Sequence, residues 1–225
     1  MSETATRRYR SSVREQQARA TRQGILAAGT KLFVSRGWAG TGMREVAESA
    51  GVSVETVYKY FPSKGELLHR VVDVLVAGDD EPVPLAQREA YRAMGTGSLT
   101  ERAHAAAALV TAIHVRQAPI LPAMREAASS DETMAALIAE LSDQRRLEFR
   151  RGGSLVAGRP LSVTEADGLW AVLSADAYLL LTRHVGWADA AYEAWAADCL
   201  VALLLAHERP DHARPANRPE GDPNE

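Results

Sequence analysis

Cysteine is almost missing from this chain of 225 residues. Cys199 is the single one, which excludes an internal disulfide framework and a multi-cysteine zinc site. Long apolar runs are missing too. The run from Cys199 to Ala206 falls far short of the ~20 residues that cross a bilayer as a helix. The N-terminus is polar and basic with no apolar stretch behind it, so it is not read as a secretory signal. G-x-S-x-G, P-loop, dinucleotide-binding glycine and H-E-x-x-H patterns are all wanting. Cys199 lies on an apolar stripe, a poor place for a nucleophile. An enzyme is therefore not expected, and neither is a metal or a cofactor. With 46% apolar and 24% charged residues, the chain reads as a globular protein. A soluble, cytoplasmic location is expected.

The net charge of −3 conceals an asymmetry. Residues 1–70 carry 12 Lys and Arg against 6 Asp and Glu, whereas residues 71–225 carry 14 against 23. A basic end on an acidic body suits a polyanion-binding module joined to something else. Chance clustering or a solvated basic tail would give the same totals.

Alternation of β-branched residues is absent, and Ala, Leu, Arg and Glu abound, so the fold is expected to be all-α. Residues 1–13 lack apolar periodicity and read as a flexible arm, whose Arg7, Arg8 and Arg10 are placed either in a minor groove or in solvent. Residues 209–225 hold four of the ten prolines and almost no apolar side chains, which reads as a disordered tail. Between them Ile25, Leu26, Ala28, Leu32 and Phe33 form one helical stripe ending before Gly37. Short helices are expected near 42–50, 54–60 and 64–77. Further helices follow near 85–94, 99–117, 120–129, 131–151, 163–185 and 188–207. The acidic, proline-bearing stretch 78–84 separates the two groups. The expected organisation is an arm (1–13), a basic helical module (14–70), a larger acidic helical body (71–208) and the tail (209–225).

The informative segment is TGMREVAESAGVSVETVYKYFPSKGE, residues 41–66. Thr41 and Ser53 each suit a helix N-cap, and Ser63 with Glu66 spells a capping box. Gly51 stands between two short helices, where a left-handed backbone is easiest for glycine. Val46, Ala47, Ala50, Val52 and Val57 can pack the two together. Helix, tight turn, helix on a basic module is a helix-turn-helix, whose second helix enters the major groove. On 54–60, Val57 and Phe61 point inward. Ser53, Glu55, Thr56, Lys59 and Tyr60 then fall at the N-terminus or outward, with Tyr58 to one side. Thr56 and Lys59 share a face and could read base edges or grip phosphate, and Tyr58 and Tyr60 offer hydroxyls. Thr41 and Lys64 sit at helix starts that favour phosphate oxygens. The competing reading makes Tyr58, Tyr60 and Phe61 plain bundle core.

The stretch ILAAGTKLFVSRGWAGTGMREVAESAGVSVETVYKYFPSKGELL resembles the DNA-binding domain of TetR-family transcriptional regulators over about residues 20–70. FVSRGW, T-x-MREVA, AGVS, TVYKYF and SKGELL occur in that family in this order and spacing. The resemblance implies a three-helix DNA-binding domain, a larger helical domain behind it, dimerisation and a palindromic operator. It places Thr41 and Arg44 at the start of the motif's first helix, with phosphate contacts from Tyr58 and Lys64. Ser53, Glu55, Thr56 and Lys59 fall where bases are read. Gly42 and Gly65 depart from the usual residues and could loosen those helix starts. The region from Glu165 to the last leucines also resembles the C-terminal domain of a TetR subgroup, more loosely.

In the acidic body, Leu173 and Leu180 on 163–185 lie on a helical stripe, as do Tyr192, Trp195, Cys199, Leu200 and Leu203 on 188–207. Two such helices from each subunit would make a four-helix, two-fold interface, unless they pack only within one subunit. Met94, His104, Ile113, His114, Met124, Trp170 and Tyr178 are candidates to line an effector pocket, each with a plain core reading beside it. His104 and His114 are three helical turns apart, too far to share a metal. Asp176 on an apolar stripe asks for a partner, and Arg116 and Arg125 could hold an anion. The function expected is a ligand-responsive, homodimeric repressor of a DNA operator with an unknown small-molecule effector. A regulator without an effector, or an activator, is the alternative.

Overall fold

The computed structural model describes residues 3–206, with side chains from residue 14 onward. The tail expected at 209–225 lies outside the described residues, as do the side chains of Arg7, Arg8 and Arg10. Every regular element among the described residues is a helix.

Helix α1 spans Glu3–Arg36. The segment expected as an arm is helical from Glu3, because no glycine or proline precedes Gly24 and helix formers dominate. A missing apolar stripe denies such a segment packing; it does not stop the backbone from winding. From Ile25 the stripe appears, and Ile25, Leu26, Leu32 and Phe33 are buried. The helix stops at Gly37, whose φ of 71° is open to glycine at little cost. Helices α2 (Met43–Ala50), α3 (Val54–Tyr60) and α4 (Lys64–Ala77) follow. They close over α1 around Val46, Val57, Phe61, Leu67, Leu68 and Val71.

A 3-10 turn at Leu85–Gln87 leads into α5 (Glu89–Ala93), α6 (Leu99–Gln117), α7 (Leu121–Ser130) and α8 (Glu132–Ala157). Capping boxes open α6 (Ser98 with Glu101) and the next helix in the chain, α9 (Val163–Val172; Ser162 with Glu165). Helix α8 runs past the expected end near 151, through Gly152 and Gly153. A Cβ on Gly153 would come within 2.7 Å of Leu161 Cδ1 and 3.3 Å of Leu169 Cδ1. Close packing there offsets the helix-breaking tendency of glycine.

The single helix expected over 163–185 is three pieces: α9 (Val163–Val172), α10 (Ala175–Leu179) and a π turn at Leu180–His184. The break has a visible cause. In a continuous helix the Ala177 N–H would bond the Leu173 carbonyl. Instead it donates to Ser174 Oγ at 3.1 Å, and the Leu173 carbonyl is bonded by His114 Nε2 at 2.9 Å. Helix α11 (Asp189–Ala206) then lies along α6. The second core gathers Met94, Val156, Leu161, Leu169, Leu173, Tyr178, Tyr192 and Leu200.

The first core does not stop with α4. Ile120, Ala123, Met124 and Ala127, at the start of and along α7, and Met134 of α8 belong to it, and α4 packs on α6. Of the two methionines among the pocket candidates, Met124 sits in this core and Met94 in the other. His104 is on the outside of α6, Ile113 and Trp170 are half-buried, and His114 and Tyr178 are buried. Of the residues expected at a dimer interface, Leu173, Tyr192 and Leu200 are buried within the chain's own core. Leu180 is 56% exposed, and Trp195, Cys199 and Leu203 are half-buried on α11. Asp176 is exposed and pairs with Arg125 of the same chain. Arg116 donates to the Leu75 and Val76 carbonyls at 2.8 and 3.1 Å, closing the end of α4. None of the described helices is long and apolar enough to cross a membrane.

Candidate nucleic-acid interface

The turn between α2 and α3 has the expected geometry. Gly51 is left-handed at φ 68°, ψ 32°, and its N–H reaches back to the end of α2. Val52 N–H bonds the Ala47 carbonyl at 3.0 Å. Ser53 caps α3 by accepting Thr56 N–H at 3.2 Å, and the Ser53 and Thr56 hydroxyls lie 3.1 Å apart. Ser63 caps α4 through Glu66 N–H at 3.1 Å.

Val57 is fully buried and anchors α3, while Phe61 closes its end. The opposite side carries Ser53, Glu55, Tyr58 and Lys59, all exposed, with Thr56 half-buried. Tyr58 is 49% exposed. Arg44 on α2 is exposed as well. The Glu55 carboxyl lies below its ordinary range, held ionised by its own backbone N–H and then by the Ser53 hydroxyl. Lys31, Arg36, Arg44 and Lys59 are exposed cations with no carboxylate in ion-pair range among the described residues. Arg22 and Arg70, by contrast, are engaged with Asp80. The basic excess therefore divides into a part without carboxylate partners and a part that ties the module to the chain after α4.

Three expected contacts are altered. Thr41 does not cap α2. That position is Gly42, and Thr41 is 2% exposed with its hydroxyl donating to the Gly37 carbonyl at 2.8 Å. Its side chain is part of the α1–α2 corner, because a buried hydroxyl takes the nearest open carbonyl. Tyr60 is half-buried against the first core. It faces a cleft of about 460 Å³ shared with Arg22, His69, Arg70 and Leu137, away from Tyr58. Lys64 donates to the Trp38 carbonyl, and its ammonium lies 4.1 Å from the Trp38 ring centroid. Burial lowers the Lys64 pKa, while Glu126 and Glu45 oppose the shift.

Sequence reading missed the residues that brace this face. Glu126 of α7 accepts Trp38 N–H at 2.6 Å and Ala39 N–H at 3.2 Å. Trp38 stacks on Phe33 with centroids 6.1 Å apart. Met134 of α8 lies so close to Gly65 that a Cβ there would be 2.8 Å from its sulfur. Gly42 is similarly crowded by the Glu45 carboxylate, 2.2 Å from a notional Cβ. Both glycines that depart from the usual pattern thus admit a close neighbour. Nothing in the local spacing announces Glu126 or Met134, which lie some 70 to 90 residues from the groups they meet.

The family model described as bacterial regulatory proteins, tetR family, matches residues 25–71. The HTH-type transcriptional activator FasR of Mycolicibacterium smegmatis is 47% identical over 58 residues, 24% of this chain and 26% of that protein. The probable HTH-type transcriptional regulator YttP of Bacillus subtilis is 36% identical over 58 residues, 26% of this chain and 28% of that protein. The chain thus matches only about a quarter of the length of these curated relatives. Over about four fifths of the chain the likeness is one of fold. A crystal structure from Rhodococcus sp., assigned to the TetR family, superposes with a TM-score of 0.61 at 18% identity, covering 82% of this chain and 98% of that one.

Proposed function

The chain belongs to the TetR family of DNA-binding transcriptional regulators, and from that premise we propose that it acts as a homodimeric, ligand-responsive repressor on a palindromic operator. It is a regulator and not an enzyme. The observation that carries the reading is the face of α2 and α3, where Arg44, Ser53, Glu55, Tyr58 and Lys59 stand exposed above a core that does not need them. Thr56 and Glu55 at the start of α3 suit base edges, an ionised glutamate being matched to the cytosine amino group. Arg44, Tyr58 and Lys59, with Lys31 and Arg36 nearby in sequence, suit phosphates, which position the protein without choosing sequence. A second copy would cover Leu180 and the half-buried Trp195, Cys199 and Leu203. Two α3 helices spaced by one turn of DNA then read enough bases for usable specificity. An effector bound in the helical body would shift the pair by favouring one state over the other.

Selection of duplex DNA from a random pool, followed by a salt titration of the winner, tests this reading. A palindromic winner with a steep salt slope is expected. Equal binding to all sequences would remove it. Activation is the second reading, favoured by the name of the M. smegmatis relative. A reporter behind the selected site separates the two: repression gives higher expression without the protein, activation lower.

A further inference from the structure

We propose that Arg145 and Gln117 form an anion site inside the helical body, built for the carboxylate or phosphoryl head of a small organic molecule. The proposal names the chemistry of the effector in the reading above and rests on that reading for its regulatory role.

Arg145 lies in the middle of α8, half-buried. Among the described residues no carboxylate comes within ion-pair distance of it. Asp73, whose charge favours the cation, is taken by Arg70 at 3.3 Å and His69 at 3.7 Å. The one partner of Arg145 is neutral. Gln117, 3% exposed at the end of α6, has its amide 2.8 Å from both terminal nitrogens, and since a guanidinium only donates, the amide atom facing it is assigned as the oxygen. That uses two of five N–H donors and none of the charge. A guanidinium cannot escape by losing its proton, so a charge withdrawn from water without an anion is an incomplete arrangement.

Independent observations come from the rest of the same α6 stripe. Thr111, His114 and Gln117 follow one another at intervals of three, so they share a face. His114 is 6% exposed. Its Nε2 must donate, because the Leu173 carbonyl can only accept. Burial foremost lowers the His114 pKa and keeps the ring neutral, so Nδ1 is a lone pair, buried and without a partner. Thr111 Oγ1 is likewise buried and unpartnered, as is the hydroxyl of Tyr192, whose ring centroid lies 6.1 Å from that of His114. Folded proteins rarely leave such atoms unsatisfied. The two hydroxyls can donate to an anionic head and the imidazole nitrogen can accept from a hydroxyl or N–H of the same molecule, so together with the unpaired guanidinium they describe a polar interior suited to a small organic anion.

The position also suits regulation. Gln117 is followed by the 3-10 turn Ala118–Ile120 and then by α7, whose Glu126 holds the corner after α1. Arg145 is on α8, whose Met134 lies against Gly65 at the start of α4. The two helices that meet at the anion site thus lead directly to the elements that brace the DNA-binding face.

The test uses the full chain, with benzoate, its neutral counterpart benzamide, and inorganic phosphate as probes. Thermal unfolding and calorimetric titration are measured for wild type, Arg145→Gln and Arg145→Lys. Benzoate or phosphate should raise the melting temperature of wild type, and benzamide should not. Arg145→Gln should weaken anion binding about 10- to 100-fold, as expected for a hydrogen bond to a charged group. Without anion it should melt no lower than wild type, since a half-buried charge with no counter-ion is gone; a purely structural arginine would lower it. Response to benzoate alone assigns a carboxylate, and to phosphate alone a phosphoryl group. If Arg145→Gln does not fold, loss of anion binding in Arg145→Lys, which keeps the charge but not the fork, carries the same test. No anion-dependent shift in wild type, or an equal shift in the variants, overturns the site. Release of the selected DNA is followed separately. Binding without release keeps the site and removes its regulatory role. Release by some other compound, unaltered in Arg145→Gln, keeps the regulator and removes this site.

Discussion

Glu126 of α7 holds Trp38 by its backbone: the carboxylate accepts Trp38 N–H at 2.6 Å and the adjoining Ala39 N–H at 3.2 Å. Lys64 of α4 grips the same residue from the other side, through its carbonyl and its ring. Gly37 makes room. A Cβ there would meet Glu126 Oε2 at 2.5 Å, at a φ that other residues avoid.

Glu126→Ala should therefore loosen the first core from α7. Two backbone donors lose a charged acceptor, a cost of about 2–3 kcal/mol, measurable by urea unfolding. Lys64→Ala should also lower stability. Weaker DNA binding in that variant would then reflect a displaced corner as much as a lost phosphate contact, and the melting curve tells them apart.

Exposed residues on the proposed DNA face should behave differently. Arg44→Ala and Tyr58→Phe should reduce affinity for all sequences alike, and Arg44→Ala should lower the salt slope by about 1. Thr56→Ala or Glu55→Gln should instead alter which bases are preferred. Melting temperatures should stay put in all four. Unchanged binding of Arg44→Ala and Tyr58→Phe at matched salt would remove those contacts.

The proposed dimer surface can be split from the core by two leucines. Leu180, 56% exposed, should yield monomer by sedimentation when changed to Asp, with the helical signal retained. Leu173, 1% exposed, should leave a cavity when changed to Ala and cost about 2–5 kcal/mol. A stable Leu180→Asp dimer would place the interface elsewhere.

Two glycines should respond oppositely to alanine. Nothing lies within 4 Å of a Cβ on Gly24 in the middle of α1, so Gly24→Ala should stabilise by about 0.5–1 kcal/mol. Gly153→Ala would drive into Leu161 and should cost about 1–3 kcal/mol. Denaturant midpoints of the two variants check the signs.

Acid should find a weak point at Glu165, 8% exposed. Arg159 Nη2 at 2.7 Å and Ser162 N–H at 2.8 Å bond its carboxylate. Arg159 first, with Ser162, lowers its pKa from 4.5 to about 2 against the effect of burial. A folded pKa below the unfolded one means that this stabilisation is full above pH 4.5 and lost as pH falls from there towards 2. Glu165→Gln should be less stable than wild type near neutrality, and the difference should shrink across that window.

Local chemistry made much of this protein legible in its sequence. The stripe from Ile25 to Phe33, the glycine turn at Gly51 and the caps at Ser53 and Ser63 depend on residues within a few positions of each other. So the helix-turn-helix and its outward residues Glu55, Tyr58 and Lys59 could be read off directly. Tertiary structure decided the rest, because it turns on groups far apart in the chain. Whether Thr41 caps a helix or fills a corner depends on which carbonyl is nearest in space. Whether 163–185 is one helix depends on His114 claiming the Leu173 carbonyl from 59 residues away. Whether a leucine of an apolar stripe faces its own core or a second copy depends on how α11 is rotated against α6. Periodicity reveals that a helix has an apolar face; only packing reveals what that face meets.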